Sequence, residues 1–148
     1  MMNARIERIK YFDNDMLSYL FKRAGEENAK PNADFFEDEK NILLVSHTDG
    51  KLSGFLWAYV LRSPGNLSPK MFLYSIDVFS EFRRQGIASQ LIGELKNIAR
   101  TFNCREMFVP TSKSNLPAMG LYQKTQGKVE SDDGVTFIYD QDTIAKLA

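Results

Sequence analysis

The run Arg83-Arg84-Gln85-Gly86-Ile87-Ala88 joins two fixed positive charges, one glycine and the start of an amphipathic segment. It follows an apolar, strand-like run from Met71 to Val78 and opens the segment Ile87 to Phe102. A strand, a short glycine turn and a helix start together build a site for phosphate oxygens. The glycine lets backbone amides approach closely, the helix N-terminus adds partial positive charge, and the arginines add full charges. The spacing is Arg-x-x-Gly-x-Ala. It is neither the dinucleotide fingerprint Gly-x-Gly-x-x-Gly nor the nucleotide loop Gly-x-x-x-x-Gly-Lys-Ser/Thr. The loop from Arg83 to Ser89 is therefore the candidate phosphate cradle, acting mostly through backbone amides.

Other residues could move protons. In the strand before the loop, Ser75 and Asp77 alternate onto one face, while Tyr74, Ile76 and Val78 take the other. Glu81 stands just before the arginines and reads as a solvated loop residue. His47, the single histidine, could titrate near neutrality, but its place at a hairpin end reads as surface. Cys104, the single cysteine, excludes an internal disulfide framework and reads as an inert small hydrophobe. Farther on stands a second polar set, Asn115, Tyr122 and Lys124, within Asn115-Leu116-Pro117-Ala118-Met119-Gly120-Leu121-Tyr122-Gln123-Lys124.

The elements that must position these groups alternate between helix and strand, with no repeat and no low-complexity linker. Ile6 to Tyr11 reads as a first strand. Asp13 can cap a helix whose stripe is Met16, Leu17, Leu20, Phe21 and Ala24, ended by Gly25. A short helix is expected from Ala33 to Asp38. Ile42 to His47 and Leu52 to Leu61 read as strands joined by Asp49-Gly50, a strong hairpin signal. Arg62 to Lys70, with Pro64, Gly65 and Pro69, reads as a loop before the strand Met71 to Val78. A helix follows from Gln85 to Asn103, with Ile87, Leu91, Leu95, Ile98 and Phe102 as its stripe. Glu106 to Val109 reads as a short strand, and Pro117 sits early in a fourth helix. Val129 and Val135 to Tyr139 read as the last strands, with Asp132-Asp133-Gly134 as a turn.

Composition bounds the class. The 148 residues suit one domain, 1–148, able to bury a substantial core. Hydrophobic residues make up 43% and charged residues 26%, ordinary for a globular chain. Lys plus Arg and Asp plus Glu both number 19, so net charge points to neither nucleic acid nor an anionic membrane. No apolar run approaches the roughly 20 residues needed to cross a bilayer. The N-terminal Met1-Met2-Asn3-Ala4-Arg5 mixes charge where a signal peptide is apolar. The expectation is a cytoplasmic protein.

The two motifs, in this order, resemble those of the GCN5-related N-acetyltransferase family. Arg83-Arg84-Gln85-Gly86-Ile87-Ala88 matches its pyrophosphate loop, and Asn115 to Lys124 matches its Asn-x-x-Ala-x-x-Leu-Tyr-x-Lys segment. The resemblance implies an α/β acyl-CoA N-acyltransferase fold. Its sheet is mixed and mostly antiparallel, with six to seven strands and about four helices on both faces. It implies acetyl-CoA as acetyl donor, no metal, and transfer to a primary amine of a small molecule by direct attack in a ternary complex. A protein or peptide amine, or a non-catalytic CoA-binding domain, stands as the alternative. A second copy of the chain is a possible partner.

By the same resemblance, Arg83, Arg84, Gln85, Gly86, Ile87, Ala88 and Ser89 hold the pyrophosphate, with Arg84 preferred as the side-chain contributor. The pantetheine arm pairs like a strand with Ile76 and Val78, where the family's strand is bulged and splayed from the next. The Val78 N–H is then the donor to the thioester carbonyl. Asn115 resembles the residue that bonds the cofactor arm, and as a residue it is equally a helix N-cap. Tyr122 is the general acid for the leaving thiolate. Asp77 is the carboxylate nearest the thioester and is weighed as general base against a water chain. Phe55, Trp57 and Tyr59 could line an acceptor pocket, although aromatic strand residues are more often core.

Within the family the likeness is to aminoglycoside 3-N-acetyltransferases, through Ala58-Tyr59-Val60-Leu61, Glu81 to Ala88 and Ala118 to Lys124. Three departures stand out. An acidic cluster is replaced by Ser112-Lys113-Ser114-Asn115, Tyr-Asp by Tyr74-Ser75, and a glycine by Gln126, with Gly127 one residue later and an expected shift of the helix end. A site without those carboxylates binds a polycation poorly, so aminoglycosides are not the expected acceptors.

Overall fold

The computed structural model describes residues 4–146. Strand β1 (Arg5–Arg8) leads to helix α1 (Asn14–Arg23) and a short 3₁₀ segment (Ala33–Glu37). Strands β2 (Asn41–Thr48), β3 (Lys51–Ser63) and β4 (Asn66–Val78) follow, then a 3₁₀ turn (Ser80–Phe82) and helix α2 (Ile87–Thr101). Strand β5 (Glu106–Phe108), helix α3 (Leu116–Lys124) and helix α4 (Gln141–Ala145) complete the order. The sheet runs β1-β2-β3-β4-β5. Its first four strands are antiparallel neighbours and β5 lies parallel to β4.

Local sequence accounts for most of these elements. The Asp13 side chain accepts the Met16 N–H at 3.0 Å and starts α1. Gly25, at φ +81°, follows its end. Asp49 and Gly50 both hold positive φ, +53° and +74°, as a tight β2–β3 turn of the right hand requires. Both faces of the sheet are covered. Ile87, Leu91, Ile92 and Leu95 of α2 pack on Leu44, Leu56, Ala58 and Leu73. Leu17 and Leu20 of α1 pack on Leu43, Val45 and Phe55. Leu91 and Leu95 are fully buried, and each contributes about 2 kcal/mol of transfer free energy.

Three expectations are corrected. The sheet has five strands among the described residues, not six to seven. Val129 and Val135 to Tyr139 form no strand, because residues 128–146 are exposed throughout and meet no ladder partner. The stretch from Arg62 to Lys70 is not a loop: β3 and β4 run on to a tight turn at Pro64-Gly65, with Ser63 paired to Asn66. Pro69 fits inside β4 because its carbonyl, which accepts the Arg105 N–H at 2.9 Å, faces the β5 side. Its missing N–H faces the same way, just before the first β4–β5 pair, so no ladder bond is lost.

Candidate active site

The centre of the site is the far half of β4. Only Lys70, Met71 and Phe72 pair with β5, so from Leu73 to Val78 one edge of β4 has no strand beside it among the described residues. A bulge falls at the same place. Trp57 pairs with Ser75 and Ala58 with Leu73, leaving Tyr74 as the extra residue. The bulge corrects the simple alternation expected for this strand. Tyr74 does not share a face with Ile76 and Val78; it stacks on Trp57 at 5.5 Å on the α1 face, while Ile76 and Val78 pack with the α2 core. Ser75 and Asp77 lie opposite Trp57 and Phe55, also on the α1 face.

The direction of the backbone follows from its neighbours. The Phe79 N–H donates to the Ser53 carbonyl of β3 at 2.9 Å. A β-carbon placed on Gly54 would lie 2.6 Å from the Asp77 carbonyl oxygen, so that carbonyl also faces β3. By strand alternation the backbone groups of Ile76 and Val78 point the other way, to the open edge. The glycine in β3 permits this close approach, and Gly54 inside an otherwise apolar strand was the sequence signal for it.

Beyond β4 the chain turns into the arginine loop. Arg83 is extended (φ −71°, ψ 160°), whereas Arg84 (φ +63°) and Gly86 (φ +79°) are left-handed. Such alternation gathers backbone N–H groups into an anion-binding concavity. Gly86 is the N-cap of α2 and supplies no side-chain acceptor, which leaves the first-turn amides of α2 open to a ligand. The helix itself begins at Ile87, not Gln85, because those two left-handed residues precede it. The two arginines differ. Arg83 folds back along β4, its Nε donating to the Val78 carbonyl at 2.9 Å and its guanidinium 3.7 Å from Asp77 Oδ1. Arg84 is exposed and makes no ion pair among the described residues. The Gln85 Oε1 is buried and has no hydrogen-bond partner among the described residues.

Helix α3 carries the second motif. Asn115 is its N-cap, accepting the Ala118 N–H at 3.2 Å. Tyr122 is half-buried, packs against the α2-side core, and burial pushes its phenol pKa up. Gln126, not Gly127, takes the left-handed conformation after the helix (φ +75°). The helix end is therefore not shifted by the missing glycine; Gly127 instead brings its N–H to the Tyr122 carbonyl at 2.7 Å.

Among the carboxylates of the described residues, Asp77 is the one on the open stretch of β4. Burial raises its pKa, and the Arg83 guanidinium and a hydrogen bond from the Val78 N–H pull partly against that. Glu81 is ion-paired with Arg23 of α1, and its carboxyl is lowered by its own backbone amide and by that arginine. His47 Nε2 lies 3.2 Å from Glu7 Oε1 on β1. Burial raises the Cys104 thiol, in keeping with an unreactive side chain. On the α1 face lies a cavity of about 190 Å³ reaching Trp57 and Tyr59 of β3. Its wall includes Phe35 and Phe36 of the 3₁₀ segment, which sequence reasoning missed; a Phe-Phe pair just after a capping Asn32 was the available signal.

The model of the Acetyltransferase (GNAT) family matches residues 8–127. The chain is similar to an N-alpha-acetyltransferase of Sulfurisphaera tokodaii, 28% identical over 130 residues, covering 81% of this chain and 77% of the relative. It is also similar to an aminoglycoside N(6')-acetyltransferase type 1 of Salmonella typhimurium, 31% identical over 103 residues, covering 63% and 71%. That relative modifies the 6' position, where the sequence motifs had pointed to the 3-N class. In fold the chain resembles an aminoglycoside acetyltransferase from an uncultured soil metagenomic sample in complex with sisomicin. The TM-score is 0.78 at 24% identity, over 93% of this chain and 95% of that one.

Proposed function

The chain belongs to the GNAT acetyltransferase family and is an acetyl-CoA-dependent N-acetyltransferase; from that premise we propose that it acetylates a primary amine of a small molecule by direct attack within a ternary complex. One observation carries the assignment of the site: the open edge of β4 ends at the concavity of backbone amides before α2. The amides of Arg84 to Ser89 and the Arg84 side chain bind the pyrophosphate. The backbone of Ile76 and Val78 pairs with the peptide-like arm, and the Val78 N–H donates to the thioester carbonyl, where negative charge develops. Asn115, whose Oδ1 caps α3, also hydrogen-bonds the cofactor arm through its side-chain NH2. Tyr122 holds its proton for the departing sulfur. Asp77 takes the proton that the attacking amine must lose. The cavity on the α1 face, about 190 Å³, aromatic-walled and partly open to solvent, favours a small amine over a protein surface.

Gly86 provides the test. At φ +79° a β-branched residue is strained, and its side chain would block the phosphate oxygens. Calorimetry is expected to show acetyl-CoA binding to the parent and at least tenfold weaker binding to a folded Gly86→Val. Unchanged affinity in that variant would place the pyrophosphate elsewhere.

A further inference from the structure

Resting on the acetyltransferase reading, we propose that the acceptor is a monoamine with an apolar ring or branched body and a single carboxylate, as in an aromatic α-amino acid, and that Lys30 binds the carboxylate. The cavity beside β3 is walled by Leu17, Phe21, Phe35, Phe36, Trp57 and Tyr59. Phe21 meets Trp57 edge-on at 5.7 Å, and Phe35 meets Tyr59 edge-on at 6.0 Å. These rings leave room for one flat or branched group. At about 190 Å³ the space suits one ring-bearing side chain, not several linked amino sugars.

Among the described residues, the lining's polar side chains are Lys30 and Asn32, beside the aromatic Trp57 and Tyr59; no carboxylate is among them. The Asn32 Oδ1 is already engaged with the Asp34 N–H at 3.0 Å. Lys30 is exposed and pairs with no acid among the described residues. A free ammonium at the rim repels a polycation and attracts one negative charge. Trp57 also links the cavity to the reacting centre. It pairs with Ser75, and Asp77 lies two residues farther along β4, about 7 Å away. The lining itself holds no β4 residue, so an acceptor whose ring lies against Trp57 must extend its amine along β4, past Ser75, to meet Asp77.

The step balances. The neutral amine nitrogen attacks the thioester carbonyl carbon and a C–N bond forms. The C–S bond breaks, the sulfur leaves with the electron pair, and it takes the Tyr122 proton. The proton lost by nitrogen passes to the Asp77 carboxylate, and the tyrosine is reprotonated from solvent. The products are an N-acetylated amino acid and free CoA thiol.

Turnover of L-phenylalanine, phenethylamine, kanamycin and a short phenylalanine-initiated peptide, followed by released thiol, tests this. In the parent enzyme kcat/KM for L-phenylalanine is expected to exceed that for phenethylamine roughly fivefold to tenfold. Lys30→Gln should remove that advantage and Lys30→Arg should keep it. Equal rates for the acid and its decarboxylated partner, or preference for kanamycin or the peptide, overturn the proposal. So does a Lys30→Gln that slows both small amines alike. Calorimetry with acetyl-CoA separates the two levels. A parent that binds acetyl-CoA yet turns over none of these amines overturns the acceptor assignment alone. A parent that does not bind acetyl-CoA overturns the reading beneath it.

Discussion

In the proposed mechanism Tyr122 and Asp77 face opposite demands: one must keep a proton until the sulfur leaves, the other must be free to accept one. Burial raises both pKa values. For Tyr122 this keeps the phenol protonated across the neutral range. Tyr122→Phe removes one hydroxyl and little volume, so acetyl-CoA affinity and melting temperature should barely move. The chemical step should slow by roughly 10²–10⁴-fold, seen in single-turnover kinetics with a good acceptor. Equal rates across pH would mean that water protonates the thiolate. Asp77 acts as a carboxylate, so kcat/KM should fall on the acid side as it protonates. Arg83→Gln removes the charge that holds its pKa down, and the acid limb should move to higher pH. Asp77→Asn should abolish that limb; a limb that persists would assign the proton to a water chain. The stability sign is the reverse of the usual carboxylate. With its folded pKa raised, Asp77 contributes stability below its unfolded pKa, and that contribution is lost as pH rises through the folded pKa. Asp77→Asn should therefore not lower the melting temperature at neutral pH. Asp77 could be singled out from sequence because it is the lone carboxylate of an apolar strand. The arginine at its side could not, since nothing in Arg83-Arg84 says which of the two folds back.

Close approach of β3 and β4 depends on Gly54. With its added β-carbon 2.6 Å from the Asp77 carbonyl and 3.2 Å from Ser46 Oγ, Gly54→Ala must push β4 outward at Asp77 and Val78. It should cost about 1–3 kcal/mol and weaken acetyl-CoA binding and turnover together. Gly93, inside α2 with nothing within 4 Å of an added β-carbon, is the contrast. Gly93→Ala should raise stability by about 0.5–1 kcal/mol, and thermal melting of the two variants reads both effects. The hairpin at Asp49-Gly50 was legible because two adjacent residues tolerate positive φ, and the caps at Asp13 and Asn115 because each rests on a side chain acting within three residues. The continuation of β3 into β4 was not. Pro64, Gly65 and Pro69 are loop residues by propensity, and Pro69 is accommodated only because its missing N–H lies just before the first β4–β5 pair. The bulge in β4 was implied by the family resemblance alone, and its place at Tyr74 could not be read from the strand's own residues, because it is a count of residues between two strands, not a property of one.

At the scale of the chain, the last nineteen described residues stand apart. Val129, Val135, Phe137, Ile138, Tyr139 and Ile144 are all more than 60% exposed. Their alternation reads as strand, yet propensity without a partner buries nothing. Ending the chain after Gly127 should leave the melting temperature within a few degrees, because α3 stays anchored by Lys96 Nζ donating to the Thr125 carbonyl at 2.7 Å. The same cut should reduce self-association in sedimentation, since an apolar stretch of this size is a surface that other molecules cover. Unchanged association would show that the tail stays bare. The half-open β4 has a different outcome. Because Ile76 and Val78 turn their amides toward no strand, those protons should trade with deuterated water far faster than their neighbours bonded to β3. A ligand that fills the gap supplies the missing ladder. At 100 times its dissociation constant it adds about 2.7 kcal/mol to the fold, and the two amides should become slow together. The exchange clock of two residues would then report, without any turnover, when the sheet has been closed by a molecule that is not protein.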